Sequence, residues 1–279
     1  MLSLHTNAAT LSAQNSISRT QNALSTSMTR LSTGYRINSA MDDAAGLQIA
    51  TRLNAQSRGM GVAMRNVGDS ISLLQTAEGA LNEMTDIMQR MKDLSTQAAN
   101  DTNSAEDRTA IQAEFTALST EMANIFDNTT YAGEALFGAG KFGAGAVTFQ
   151  IGASTAETLE VDVSAKTDAL DSLLGTDITA LDITTQAGAN TAIDTLAGAL
   201  DSIGSLRADF GANINRLNHT SNNLANMKDN TEMAKGRIMD ADFAMESANM
   251  SKNSMLMQSG ISMLKQAGQM PGMVMSLLG

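Results

Sequence analysis

The N-terminal part of the chain, residues 3–33, is polar and carries only a thin line of apolar side chains. Its clearest run is spaced by four, three and four residues: Leu24, Met28, Leu31 and Tyr35. That spacing keeps the side chains on one face of an α-helix and predicts an amphipathic helix with a narrow apolar stripe. Because so little apolar surface cannot stabilise an isolated helix, we expect this helix to need packing partners.

A stronger pattern extends from about residue 42 to residue 100. Its heptad rhythm is interrupted once by Glu78 and otherwise runs through Met60, Met64, Val67, Ile71, Leu74, Leu81, Met84, Met88 and Met91. Sustained heptads predict coiled-coil packing. A helix of roughly 58 residues would be about 87 Å long, so the pattern also predicts an elongated molecule.

Three further segments have helical spacing. Ser104 and Asp107 have the spacing of a capping box and predict the start of the first segment. Its apolar positions are Ile111, Phe115, Leu118, Met122 and Ile125. Those of the second segment are Ile193, Leu196, Leu200, Ile203, Phe210, Ile214, Leu217 and Leu224. The third segment repeats every seven residues, and we expect Pro271 to end it. Its positions are Phe243, Met250, Met257 and Leu264, with Ile261 alongside.

The middle of the chain lacks a clear helical period. The glycine-rich stretch at residues 138–146 predicts a flexible connector, and the runs at 147–153 and 159–163 predict two short strands. Residues 166–190 contain many turn formers, so we expect an exposed surface loop there. The predicted fold class is mainly α: an elongated coiled-coil or helical bundle built from the N- and C-terminal segments, with a small β-hairpin region.

Composition restricts the classes of function. Of the 279 residues, 43% are hydrophobic but only 3% are aromatic, which suits long packed helices better than an aromatic-lined enzyme pocket. The formal net charge of −11 argues against nucleic-acid binding, which relies on basic residues. No apolar run is long enough to predict a membrane span, and the absence of cysteine rules out disulfides.

Candidate catalytic and metal-binding groups are few. His5 and His219 are far apart and have no third ligand, and no phosphate-binding glycine motif occurs. Asp42 and Asp43 could form a paired-carboxylate site. In the first turn of a helix capped by Ser39, however, they would favour the positive end of the helix dipole. We therefore expect no enzyme activity and no catalytic, cofactor-binding or metal-binding residues.

Two stretches give the chain a family resemblance. RLSTGYRINSAMDDAAGLQIATRL, at residues 30–53, resembles the N-terminal signature of bacterial flagellin, and residues 214–252, with the core RIMDADFAME, resemble the C-terminal signature. The resemblance implies a structural subunit that is exported unfolded through the flagellar export apparatus and self-assembles into the extracellular motility filament. The alternative is the hook–filament junction protein, which shares the terminal helices. The N-terminal signature resembles that of flagellins from lateral, or swarming, systems.

The resemblance also implies domain limits. Inner-core helices at residues 1–40 and 235–279 would pair in the tube around the filament channel. Residues 41–165, which include the β-hairpin, and residues 191–234 would form the outer-core bundle. The loop at residues 166–190 would stand where larger relatives insert outer domains, which this chain should lack.

We interpret the first signature as a joint between two helices. Gly34 can end the terminal helix in a left-handed cap, and Ser39 with Asp42 can start the long helix. The charged residues of the joint are expected to contact neighbouring subunits rather than to perform chemistry. The predicted joint and interface residues are Arg30, Gly34, Arg36, Ser39, Asp42 and Asp43.

The resemblance implies several partners: identical subunits, an export chaperone, the filament cap and hook-associated proteins. The C-terminal assembly and chaperone segment would use Phe243, Met250, Met257, Ile261 and Leu264. Residues 89–100 resemble the stretch that the animal Toll-like receptor 5 reads in many flagellins. The expected contact residues are Gln89, Arg90, Leu94 and Glu114, with Leu94 offering an apolar contact.

Overall fold

The computed structural model describes residues 7–278, and describes side chains for residues 7–269. Within that range the chain is mainly helical, as predicted. The helices are α1 (Ala8–Thr33), α2 (Ala44–Ala98), α3 (Ala105–Asn128), α4 (Ser164–Ser172), α5 (Gln186–Met239) and α6 (Phe243–Leu278). The strands are β1 (Thr130–Tyr131), β2 (Glu134–Ala135), β3 (Val147–Gln150) and β4 (Thr158–Val161). His5 and the first residues of the predicted 1–40 helix lie outside the described residues.

The chain divides into two compact units. The terminal unit comprises residues 1–57 and 229–279, and the bundle unit comprises residues 58–228. Helices α1 and α6 belong to the terminal unit. Helices α2 and α5 contribute residues to both units, and the remaining elements belong to the bundle unit.

The core of the bundle unit is built from the predicted heptad positions, so that prediction is confirmed. The buried members are Met60, Val67, Leu74, Leu81, Met84, Met88 and Met91 on α2, Ile111, Phe115 and Met122 on α3, and Leu196, Ile203, Phe210, Leu217 and Leu224 on α5. Glu78, which interrupts the rhythm, lies outside this core, with its carboxylate 3.9 Å from the Arg207 guanidinium. The capping box of Ser104 and Asp107 at the start of α3 is also confirmed.

Four phenylalanines form a stack inside the bundle unit: Phe126, Phe137, Phe142 and Phe210. Successive ring centroids lie 5.2, 6.5 and 4.9 Å apart. The expectation of a flexible connector at residues 138–146 is therefore wrong. Phe142 anchors this stretch to the core, and its N–H donates to Leu136 O at 2.9 Å.

Two small antiparallel hairpins accompany the helices in the described part of the chain. The predicted strand pair is confirmed as β3 and β4, whose register joins Val147 to Val161. The β1–β2 hairpin was not predicted because its strands have only two residues each. Its turn, Ala132 and Gly133, has φ values of 53° and 85°, the positive-φ backbone that a two-residue hairpin turn needs.

The expected exposed loop at residues 166–190 is folded instead. Helix α4 and a π-helical turn, Leu173–Ile178, occupy most of it. Leu170, Leu174 and Ile178 are buried in the core of the bundle unit. Their spacing by four is itself a helical signal, but the Gly, Thr and Asp residues among them obscure it in the sequence.

Gln112 on α3 holds the chain that follows this turn. Its Oε1 accepts a hydrogen bond from Ile183 N–H at 2.7 Å, and its Nε2 donates to Leu181 O at 3.3 Å. Ile183 is buried beside it. One side-chain amide therefore satisfies a backbone donor and a backbone acceptor at once.

In the terminal unit, α1 pairs with α6 in antiparallel orientation. The less exposed side of α1 is formed by Thr10, Ala13, Ile17, Thr20, Leu24, Ser27 and Leu31. Two members of the predicted stripe, Met28 and Tyr35, are exposed instead. The prediction fails there because small side chains take the contact positions and let the helices approach closely. A Cβ added to Gly260 would lie 2.9 Å from Ile17 Cγ1.

Helix α6 follows the predicted seven-residue spacing only in part. Met250, Met257 and Leu264 are half-buried, whereas Phe243 and Ile261 are exposed. The prediction that Pro271 ends the helix is wrong, because α6 continues to Leu278.

Candidate functional site

The predicted break after α1 is present. Gly34 has φ 74°, and its N–H donates to Arg30 O at 2.8 Å. This is a left-handed helix cap, and glycine adopts it without the steric cost that a Cβ imposes. The predicted role of Gly34 as a helix terminator is confirmed.

A second break lies between α5 and α6, at residues 240–242. Asp242 caps α6, because its Oδ1 accepts from Ala244 N–H at 2.9 Å and from Met245 N–H at 3.1 Å. The predicted inner-core helix starting at residue 235 is therefore interrupted, and α5 extends to Met239. The acids of the DAD sequence were the available signal, since aspartate is a preferred N-cap.

The two breaks are hydrogen-bonded to each other within the terminal unit. Arg36 N–H donates to Met239 O at 2.6 Å, and Ala241 N–H donates to Gly34 O at 2.9 Å. Tyr35 and Asp240, between these bonds, form an antiparallel β-bridge. We call residues 34–43 together with residues 238–242 the paired joint. It brings the N-terminal and C-terminal signatures into direct contact.

The side chain of Arg36 adds a further link across the paired joint. Its Nη2 donates to Ile238 O at 2.8 Å. Ile238 lies in the last turn of α5, where carbonyls lack helical donors and a cation favours the negative end of the helix dipole. Arg36 therefore caps α5 from the other half of the joint.

Asp42 and Asp43 have different structural tasks. Asp42 Oδ2 accepts from the N–H groups of Asn38 and Ser39 at 3.0 and 2.9 Å and from Ser39 Oγ at 3.2 Å. Asp43 Oδ1 accepts from Gly46 N–H at 2.8 Å and caps α2. The expectation that Ser39 caps this helix is wrong. Asp43 immediately precedes the helix, whereas the Ser39 hydroxyl is turned back to Asp42.

Hydrogen bonds and charge lower the pKa of Asp42. The largest cause is the Asn38 N–H, followed by the Ser39 N–H; the Ser39 hydroxyl and the positive charge of Arg30 act in the same direction. Arg30 also faces the nearly buried Glu246 on α6, with 3.9 Å between Nη1 and Oε2. All four charged residues predicted for subunit contacts thus interact with groups of their own chain, and a subunit-interface role for them stays a prediction.

Acidification should loosen the paired joint. Because the folded-state pKa of Asp42 is depressed, its stabilising contribution is present above the unfolded pKa of about 3.9 and is lost as the pH falls through the folded value. We expect the amide NMR signals of Asn38 and Ser39 to shift together below about pH 4. Asp42→Asn should abolish that titration; an unchanged titration would assign it to another group.

Replacing Gly34 with alanine should weaken the end of α1. The left-handed backbone costs an L-residue about 1–2 kcal/mol, so we expect the helical signal of Gly34→Ala in circular dichroism to melt at a lower temperature. Gly61→Ala is the matched control. Gly61 lies inside α2 with open space around the added Cβ, and alanine there should stabilise by up to about 1 kcal/mol. Equal melting temperatures for the two variants would contradict the cap.

The residues predicted for receptor recognition lie in the bundle unit. Arg90 Nε and Nη2 donate to Glu114 Oε1 at 3.0 and 2.7 Å, and both side chains are about half exposed. Gln89 is exposed beside them. Leu94, however, is only 2% exposed and belongs to the hydrophobic core. The expectation that Leu94 offers a surface contact is wrong, because the side chain lies on the side of α2 that packs into the core.

The helices of the terminal unit leave apolar side chains exposed. On α6 these are Phe243, Met245, Met255, Leu256, Ile261 and Met263, and on α1 they are Leu11 and Met28. A groove between the helices is lined by residues such as Ala13, Ile17, Leu256 and Met263. Scattered apolar exposure is normal on a monomer, but so many large side chains on two paired helices indicate a surface that binds protein.

Two features of the described part of the chain bear on other functions. Across residues 7–278, no helix is long and apolar enough to cross a membrane. In the same part of the chain, no cluster of three or more His, Cys, Asp or Glu side chains is arranged to hold a metal ion.

The chain matches two family models: the bacterial flagellin N-terminal helical region over residues 4–141 and the bacterial flagellin C-terminal helical region over residues 193–278. It is 36% identical to Polar flagellin C of Vibrio parahaemolyticus, with 99% of each chain covered, and 35% identical to Flagellin C of Vibrio cholerae, with 100% of each covered. A crystal structure of Bacillus cereus flagellin is 32% identical, covering 57% of this chain and 88% of that chain, with a TM-score of 0.49.

Proposed function

The chain belongs to the bacterial flagellin family and is a structural subunit of the flagellar filament rather than an enzyme; from this premise we propose how its parts serve assembly, export and recognition. Identical subunits are its assembly partners, as the family requires. The relatives carry flagellin names, which favours the filament subunit over the hook–filament junction protein.

For assembly, the α1–α6 pair contributes to the inner core of the filament, and the bundle unit contributes to its outer core. The observation that supports this most is the exposed apolar surface of α1 and α6, which has no cover in the single chain. Neighbouring subunits would remove that surface from water, at about 25 cal/mol per Å² of apolar area. The paired joint links the end of α1 to the start of α2 and the end of α5 to the start of α6.

Seeded assembly tests this role. Purified protein is added to short filament fragments, and electron microscopy is used to follow their length. Growth into long, uniform filaments is the expected result. Failure to elongate at any salt concentration would contradict the filament role, and growth that stops after a single ring would favour the junction protein.

For export, the chain leaves the cytoplasm unfolded through the flagellar apparatus and is located outside the cell. Two observations support this. No cysteine is present to form a cross-link, and the contact side of α1 has too few apolar side chains for the helix to be stable alone. An export chaperone would bind the apolar residues of α6, and the cap and hook-associated proteins would contact the ends of the assembled filament. Capture of the chaperone by the wild-type chain but not by a chain lacking residues 240–279 would support this assignment.

The segment at residues 166–190 is the proposed place where larger relatives insert outer domains. It lies between the two family matches. The Vibrio cholerae alignment runs over 378 positions, whereas this chain has 279 residues. In this chain, α4 and the π-helical turn occupy most of that segment and pack Leu170, Leu174 and Ile178 into the core instead. The turn at residues 179–182 follows them and is the proposed insertion point.

Assignment to a lateral, swarming system remains a prediction from the N-terminal signature. Relatives of this chain include polar flagellins of Vibrio parahaemolyticus. Deletion of the gene in its own host should abolish swarming on a viscous surface and spare swimming in liquid. Loss of swimming would assign the chain to the polar system.

For innate recognition, we place the Toll-like receptor 5 contact on Gln89, Arg90 and Glu114. These residues are exposed in the single chain and present a charged, hydrogen-bonding surface. Leu94 acts through the fold by packing beneath them. A monomer should activate the receptor and an intact filament should do so poorly, because neighbouring subunits compete for the same surface.

Arg90→Ala tests this contact without disturbing the core. Loss of an interface arginine often costs 2 kcal/mol or more, about 30-fold in affinity, so the monomer concentration needed for half-maximal reporter-cell activation should rise accordingly. Arg65→Ala, on an exposed position of the same helix, is the matched control and should leave activation unchanged. Equal activation by both variants would remove Arg90 from the contact.

A further inference from the structure

One side chain connects the N-terminal end of α1 to α6. Asn7 is the N-cap of α1, and its Oδ1 accepts from Thr10 N–H at 3.1 Å. The same carboxamide donates through Nδ2 to the backbone carbonyl of Ala267 on α6, at 2.9 Å. Both functional atoms of this one side chain are therefore occupied, one within its own helix and one across to the other.

The carbonyl of Ala267 has a special need for an outside donor. In an α-helix each carbonyl accepts from the N–H four residues later, and position 271 is a proline, which has no N–H. Helix α6 nevertheless continues through Pro271 to Leu278. Asn7 supplies the donor that the proline lacks. This is also a physical reason why the proline does not end the helix.

The apolar contacts between α1 and α6 specify their alignment only weakly. The contact side of α1 includes Thr10, Ala13, Thr20 and Ser27, which are small and similar in shape. A row of such residues offers similar packing after a shift by one turn. In coiled coils, a single polar residue at the contact can specify the register where apolar packing does not.

Three contacts at successive positions along the helix pair fit the same antiparallel register. Asn7 meets Ala267 at one end, Ile17 packs over Gly260 near the middle, and Arg30 faces Glu246 near the joint. A shift by one turn would bring Asn7 opposite a carbonyl that its own helix already satisfies. It would also leave the carbonyl of Ala267 without its donor.

We propose that Asn7 and Pro271 form a register-setting pair, which selects a single alignment of the terminal helices and makes the subunit competent to join the filament. This inference rests on the filament role and deepens it. Pro271 leaves the carbonyl of Ala267 without its helical donor, and Asn7 donates a hydrogen bond to that carbonyl. The specificity comes from a hydrogen bond that can form in one register only.

The test uses the full chain and seeded elongation. Asn7→Asp keeps an N-cap acceptor of equal quality, removes the Nδ2 donor and adds one negative charge. We expect the critical concentration for elongation to rise at least about ten-fold, as loss of a partner for a partly buried carbonyl implies. Asn15→Asp makes the same change of charge on an exposed position of α1 and should elongate like the wild type.

A rescue variant distinguishes register setting from a general role of Asn7. Pro271→Ala restores an N–H for the Ala267 carbonyl, so adding Asn7→Asp to that background should change the critical concentration by less than about three-fold. The inference is overturned if Asn7→Asp elongates like Asn15→Asp. It is equally overturned if the double variant is as impaired as Asn7→Asp alone. Failure of the wild-type chain to elongate would instead count against the filament role itself.

Discussion

Replacing Phe142 with alanine is expected to lower the free energy of unfolding of the bundle unit by about 3–5 kcal/mol, the usual cost of truncating a buried phenylalanine. Phe142 is fully buried and sits between the rings of Phe137 and Phe210. The substitution opens a cavity and removes both aromatic contacts at once. Scanning calorimetry of the monomer measures the effect directly as a lower unfolding temperature.

The control for this variant is Phe142→Leu. Leucine fills much of the same volume, so the loss should be clearly smaller than for alanine. An equal loss in both variants would mean that the aromatic contacts, rather than the cavity, dominate. A stability unchanged by Phe142→Ala would contradict the stack as the anchor of the glycine-rich segment.

Reversing the charge of Asp43 should cripple polymerisation and swimming while secretion of the monomer continues. Asp43→Lys removes the N-cap of α2, at a cost of about 0.5–2 kcal/mol. It also places a positive charge at the positive end of the helix dipole. The lost cap lies in the paired joint, where it holds the start of α2 in place. Filament yield by electron microscopy and monomer in the culture medium by immunoblot provide the two measurements.

Two matched variants separate the possible causes. Asp43→Asn keeps the capping oxygen and removes only the charge, so normal filaments from it would assign the defect to the cap. Impaired filaments from it would support the predicted charge contact between subunits. Asp69→Lys makes the same change of charge at an exposed position of α2 and should polymerise normally. Normal filaments from Asp43→Lys would remove Asp43 from any role in assembly.

The periodic positions of the bundle were predictable because burial on long helices follows a simple repeat. Met60, Val67 and Leu74 recur every seven residues, and all are buried. The same logic could have placed Leu94 inside, since it lies three residues after the buried Met91. Its expected surface role came from the family resemblance, which carries no information on side-chain direction in this chain.

Local signals were less reliable where more than one residue could do the same task. Ser39, Asp42 and Asp43 are all good N-caps by type, and only the backbone geometry decides that Asp43 caps α2. Pro271 is by type a helix breaker, yet a donor from the far end of the chain allows the helix to continue. At residues 170–178, turn-forming residues concealed the four-residue spacing of Leu170, Leu174 and Ile178. Packing against the core stabilises a helix there and buries all three side chains.

By itself, the sequence determined the helical character of this protein, its heptad core, the cap at Gly34, the strand pair and the flagellin signatures. Each of these depends on residues close together in the chain, whose spacing sets which side chains share a face. Only the tertiary structure decided which distant segments meet. Arg36 with Ile238, Asn7 with Ala267 and Gln112 with Ile183 are hydrogen bonds between segments far apart in sequence. No local pattern specifies such pairs, because a polar side chain has many possible partners and the packing of whole helices selects one.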